Sequence, residues 1–205
     1  MRPLPRLHAI TNDAICRGAD FGIQAAAIAA AGSGVALHAR APDSNAAQLT
    51  IFAKRLIALA APAEASVIVS GRPEIARALG AQGAQLRTGD LDVSDARAVL
   101  GPGWIGRSVH SEAEAEAAVT AGADYLLTGT IFESASHPGR AAAGLDMVTR
   151  CARLGVPVVA IGGMNPERAR QARDAGAWGV AAISALWLAD DPYAAAMAML
   201  EAMNS

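Results

Sequence analysis

The chain reads as an α/β protein, a (β/α)8 TIM barrel formed by a single domain over residues 1–205. Three observations predict it. Short apolar runs alternate with longer helical stretches about eight times along the chain, and strands that alternate with helices build a parallel sheet. The phrases AAAGSGVAL, ALGAQGAQL, TAGADYLL and DAGAWGVA recur in corresponding places. Each reads as a glycine helix cap, a turn and a buried strand. The length lies near the small end of such barrels, which begin at roughly 200 residues, so little room is left for a second domain.

The elements follow in order. Strands are expected at residues 7–11, 35–38, 67–70, 84–86, 104–108, 125–128, 157–161 and 180–183. These apolar runs are too short for helices and suit buried strands. Helices are expected at 19–31, 46–60, 72–79, 92–100, 112–121, 145–154, 165–175 and 192–203. The helix at 112–121 opens with Ser111 and Glu114 in a Ser-x-x-Glu capping pattern. Asn165-Pro166 with Glu167 behind them start the helix at 165–175, which runs to Gly176. Trp104 opens a strand as a core residue, while Trp178 and Trp187 are expected to pack helices. His8 is expected to be packed within the first strand.

Composition narrows the function. The net charge is −2 with no basic block, which argues against a nucleic-acid partner. Cys16 and Cys151 lack CxxC spacing and read as free thiols of a reducing compartment. The opening MRPLPRLHAIT has no signal-peptide apolar region, and the longest apolar run, near 25–31, is far short of a membrane span. A cytoplasmic protein with no membrane partner is expected. Barrel exteriors leave homo-oligomerisation open.

The segment VPVVAIGGMNPERARQARDAGAWGVAAISAL, residues 156–186, carries the strongest chemical signal. It is a strand, a Gly162-Gly163 turn, a helix and a second strand ending at Ile183 and Ser184. Loops at strand C-termini offer free backbone N–H groups and the positive end of a helix dipole, which suit a phosphate. In TIM barrels the loops after the last two strands are the usual phosphate site. The long loop 129–144, GTIFESASHPGRAAAG, reads as a lid over the barrel mouth.

With LHAITND, VIVSGRPEIARALGAQGAQL, IGRSVHSEAEAEAAVTAGADYLLTGTIFESASHPG and PVVAIGGMNPERARQARDAGAWGVAAIS, nearly the whole chain resembles the thiamine-phosphate synthase/TenI superfamily. The LHAI opening and the loop around Glu133 lean toward the TenI branch, which includes a thiazole tautomerase. The resemblance implies a small partner, a phosphorylated thiazole or thiamine phosphate. It also implies an isomerase that moves a proton without a cofactor. Thr130 stands where that branch carries its acid/base histidine, and a threonine hydroxyl cannot act as a base near neutral pH. His38, at the end of the second strand, or Glu133 is then the candidate base.

The synthase is the alternative reading. It joins hydroxymethylpyrimidine pyrophosphate to thiazole phosphate and uses magnesium. Its Gln-x-Arg-x-Lys phrase aligns with Ala36, His38 and Arg40, and its Asn-Asp pair with Ser70 and Gly71. Asp90 is the sole retained candidate for a magnesium ligand. A third reading is a non-catalytic, regulatory barrel that binds a phosphorylated ligand. In all three, Gly162, Gly163, Ile183 and Ser184 are expected at the phosphate, with Ser108, Arg40 and His137 lining or closing the pocket. Arg72 and Asp13 are further polar residues expected near the mouth.

Overall fold

The eight expected runs are all strands, and the computed structural model closes them into one parallel barrel in chain order. It describes residues 3–133 and 142–204. The strands are β1 Leu7–Ile10, β2 Val35–Ala39, β3 Ser66–Ser70, β4 Gly83–Leu86, β5 Trp104–Val109, β6 Tyr125–Gly129, β7 Val158–Ile161 and β8 Gly179–Ala182. The helices are α1 Asp13–Arg17, α2 Phe21–Ala29, α3 Ala46–Ala60, α4 Pro73–Leu79, α5 Val93–Leu100, α6 Glu112–Thr120, α7 Gly144–Ala152, α8 Pro166–Asp174, α9 Ser184–Trp187 and α10 Pro192–Asn204. A short 3-10 turn, Ala61–Ala63, follows α3. The barrel closes at β1, where Leu7 lies opposite Val35 on one side and Val180 on the other.

Side chains alternate across each strand and so divide the interior into two cores. One set points outward and meets the helices: Val35, Leu37 and Ala39 from β2, and Val67 and Val69 from β3. The other set fills the barrel: Ile10, Ala36, Ile68, Tyr125, Leu127 and Val159, among others. Small residues make room for large ones. A Cβ on Gly106 of β5 would collide with the Tyr125 ring and with Gln85 Oε1. Outside the sheet, Phe21 of α2 stacks on Trp187 of α9 with ring centroids 5.9 Å apart.

Two short helices, α1 and α9, escape the sequence pattern. Five and four residues are too few to show a helical period. Asn12 caps α1 by accepting the Ile15 N–H at 2.9 Å. Trp178 also departs from expectation. It packs beneath the barrel interior, where Nε1 donates to the Leu4 carbonyl at 3.0 Å and Arg6 lies over the ring. The stretch Ala46–Ala63 is long and apolar enough to cross a membrane by length and composition alone. That qualifies the expectation that no run approaches a span. In the fold, α3 lays Leu49, Ala53, Leu56 and Ala60 inward as one of the barrel's outer helices.

Candidate active site at the barrel mouth

A parallel barrel directs every strand C-terminus to the same rim, and the loops there surround a cavity of about 520 Å³. One end is built by the β7–α8 and β8–α9 loops. Gly162 and Gly163 both have left-handed backbone, with φ of 111° and 62°, which costs little only for glycine. Their N–H groups donate to no backbone carbonyl among the described residues. The β6 loop runs close against them. A Cβ on Gly162 would lie 2.5 Å from Thr130 Cγ2, and one on Gly163 would lie 2.5 Å from the Glu133 carbonyl oxygen. The two glycines thus serve packing as well as exposing N–H groups. Arg168 of α8 fixes the turn by donating from Nη1 to the Gly163 carbonyl at 2.6 Å. Ile183 and Ser184 line the same end.

The opposite end is cationic. Arg40, just beyond β2, and Arg87, just beyond β4, both stand on the cavity wall with Ser70. Arg40 has no ion pair among the described residues, and burial, then the like charge of Arg87, disfavours its charged form. A guanidinium nevertheless keeps its proton at neutral pH. Between the two ends lie Ser108 and Thr130. Gln85 joins Ser108, donating from Nε2 to its hydroxyl at 3.1 Å. Gln85 Oε1 is buried without a partner.

His38 does not face this cavity as expected. It is fully buried inside the barrel and absent from the cavity wall. The reason is the strand alternation together with His8, which is also fully buried. His8 Nε2–H donates to the Pro5 carbonyl at 3.0 Å, leaving Nδ1 to accept from His38 Nε2–H at 2.8 Å. His38 Nδ1 has no partner. Burial drives both rings toward the neutral form, His8 down to about 4 and His38 well below the ordinary range, with His8 and Arg40 adding to the shift on His38. Glu133 lines the mouth but is exposed, without the burial that a base role was expected to need. His137, and with it much of the expected lid, lies outside the described residues.

Among the described residues, the histidine that does reach the wall is His110. The sequence pattern places it beside the helix cap. Its backbone N–H does donate to Glu114 Oε2 at 2.7 Å, but its Nδ1–H also donates to the Gly129 carbonyl at 2.6 Å. Arg87, Gln85 and Arg168 are likewise site residues that the sequence pattern does not reveal. Single polar residues at strand ends carry no signature until the barrel brings them together. Asp13 turns away from a ligand role: it holds Ser44 Oγ at 2.7 Å, the Asp43 N–H at 3.1 Å and Arg17 at 3.3 Å.

The donor set does not fit a magnesium ion at Asp90. Its Oδ2 accepts the Arg87 backbone N–H at 2.7 Å and Nε at 3.3 Å, so a cation already occupies that carboxylate. Among the described residues no three His, Cys, Asp or Glu side chains converge on a metal site.

A family model described as thiamine monophosphate synthase matches residues 7–186. The thiamine-phosphate synthase of Salinispora tropica is 38% identical over 209 residues, covering 100% of both chains. That of Mycolicibacterium gilvum is 41% identical over 143 residues, which is 69% of this chain and 60% of that protein. Among solved structures, thiamine phosphate pyrophosphorylase from Pyrococcus furiosus superposes with a TM-score of 0.82 at 27% identity, covering 97% of this chain and 95% of that one. These matches overturn the expectation of a TenI-like isomerase, because the relatives are named as synthases, which are transferases. The two residues expected to move the proton are not placed together for it: His38 is buried off the cavity wall, and Glu133 is exposed at the mouth.

Proposed function

The chain belongs to the thiamine monophosphate synthase family, and from that premise we propose that it joins hydroxymethylpyrimidine pyrophosphate to thiazole phosphate. In this reaction the thiazole ring nitrogen forms a bond to the methylene carbon of the pyrimidine. The bond from that carbon to a pyrophosphate oxygen breaks, and pyrophosphate leaves with the electron pair. No protein base is needed to form the new bond. What the site must supply is position and a place for the leaving charge.

The observation that carries this reading is one cavity with anion-suited walls at both ends, in a chain that aligns from end to end with a named synthase. Gly162, Gly163, Ile183 and Ser184 hold the thiazole phosphate through backbone N–H groups and a hydroxyl. Arg40 and Arg87 face the pyrophosphate. Ser108 and Thr130 line the middle, where the two rings meet, and the unpartnered Gln85 Oε1 is an acceptor for a ring amino group. The buried, uncrosslinked Cys16 and Cys151 suit a cytoplasmic setting.

The test is to mix purified protein with both phosphorylated halves and measure thiamine phosphate and pyrophosphate, with magnesium and with EDTA. Equal amounts of the two products support the reading. Binding of thiazole phosphate without any product in either condition would instead leave a non-catalytic ligand-binding barrel.

A further inference from the structure

We infer that Arg40, Arg87 and Ser70 form a diphosphate site that operates without a divalent cation. The identity of the anion rests on the synthase reading; the geometry does not. The mouth cavity adjoins a second cavity of about 440 Å³, and Arg40, Ser70 and Arg87 line both. The two spaces therefore meet at a wall of two guanidiniums and one hydroxyl. Ser70 is only 8% exposed, and its Oγ has no hydrogen-bond partner. A buried, unsatisfied hydroxyl beside an unpaired guanidinium is costly unless a ligand completes it.

The place where a cation would sit has been rebuilt. Asp90 is held by Arg87, through the backbone N–H and through Nε and Nη2 at 3.3 and 3.4 Å. Opposite them is Gly71, where a Cβ would lie 3.3 Å from both Asp90 carboxylate oxygens and 3.5 Å from Arg87 Nη2. An acidic side chain at position 71 would press a second carboxylate against the first. Glycine removes that charge, and the Arg87 guanidinium occupies the approach to the remaining one. Magnesium requires an octahedron of oxygens, and here it would meet one carboxylate already bound to a fixed cation, with a second guanidinium nearby. A diphosphate meets the reverse: Arg40, which has no ion pair among the described residues, and beside it the Arg87 N–H groups that Asp90 does not take. The remaining charges nearby do not cancel this. Arg72, on the second cavity, is exposed and paired with Glu74 at 3.0 Å. Asp13 and Asp43 act on Arg40 only at a distance.

The experiment is calorimetric titration of inorganic pyrophosphate into the whole protein, once in EDTA and once in excess magnesium. The expected affinity in EDTA is at least as high as in magnesium, where the metal competes for the pyrophosphate oxygens, and Arg40→Met and Arg87→Met each weaken binding in EDTA by about tenfold or more. Circular dichroism and retained binding of thiazole phosphate at the other end show that each variant is folded. Gly71→Asp serves as a second, independent variant. Its expected effect is loss of pyrophosphate affinity in EDTA by about tenfold, with partial recovery in magnesium. Binding that appears only with magnesium, binding in neither condition, or unchanged affinity in both methionine variants overturns the inference. Failure of the synthase reading looks different: pyrophosphate would bind in EDTA while the two halves gave no product. Product formed only in magnesium, with no pyrophosphate binding in EDTA, would overturn the inference and leave the synthase reading standing.

Discussion

Glycine at position 163 is demanded twice, by a φ of 62° and by the Glu133 carbonyl 2.5 Å from where a Cβ would stand. Gly163→Ala is therefore expected to cost about 1–3 kcal/mol in urea unfolding and to raise the KM for thiazole phosphate. Ser184→Ala tests the hydroxyl at the same end. The expected result is a KM for thiazole phosphate raised by roughly tenfold with kcat little changed, the signature of lost ground-state binding. The buried histidines give a pH effect of definite sign. His8 falls from an ordinary 6.5 to about 4 on folding, and His38 shifts the same way. Above 6.5 both folded and unfolded chains carry neutral rings, so nothing is lost. Below it the unfolded chain takes up protons that the folded one refuses, so stability falls as the pH drops from about 6.5 toward 4. The slope reaches at most about 1.4 kcal/mol per pH unit for each histidine. Urea midpoints measured between pH 7 and 5 should show this decline, and the His8→Phe/His38→Leu double variant should flatten it. Burial inside the barrel causes this effect, and the pairing that accompanies it is not legible in the sequence. His38 has the spacing of a mouth residue, and only the position of His8 on the neighbouring strand shows that the two rings satisfy each other inside the barrel.

Elements obey local chemistry where the sequence carries it in full. Asn45 and Gln48 form a reciprocal capping box at the start of α3, with Asn45 Oδ1 accepting the Gln48 N–H at 3.0 Å and Gln48 Oε1 accepting the Asn45 N–H at 3.1 Å. Asn45→Ala is expected to destabilise by about 1 kcal/mol, read as a lowered melting temperature with activity at low temperature preserved. The cap at Ser111 is legible from the Ser-x-x-Glu spacing and is present, with Ser111 Oγ accepting the Glu114 N–H at 3.2 Å. The strands lie within a residue of the expected runs because a buried parallel strand is apolar on both faces and stands out from its flanks. The helices α1 and α9 do not stand out. Each is a single turn held by its surroundings, α1 by the Asn12 cap and α9 by Trp187 stacking on Phe21.

At the scale of the molecule, the two anion-suited ends belong to one cavity but to opposite sides of the barrel rim. Thiazole phosphate and inorganic pyrophosphate should therefore each raise the melting temperature, and together raise it further. Each ligand at about a hundred times its Kd contributes roughly 2.7 kcal/mol. Thermal shift with the two ligands singly and combined checks this, and mutual exclusion would place them at a single end. The sequence by itself determined the architecture, because eight repeats of an apolar run, a glycine cap and a helix leave a closed parallel barrel as the fold that buries them all. It also located the glycine turn at the barrel mouth, the loop proposed to hold the phosphate, since Gly162-Gly163 before a capped helix is a local pattern. Only the tertiary structure decided the rest of the site. Arg40, Ser70 and Arg87 come from three different strand ends, and whether they share a wall depends on strand neighbourhood and on which face each residue takes. The same closure that gathers them turns His38 inward, because barrel order brings β1 beside β2 and so puts His8 within 2.8 Å of it.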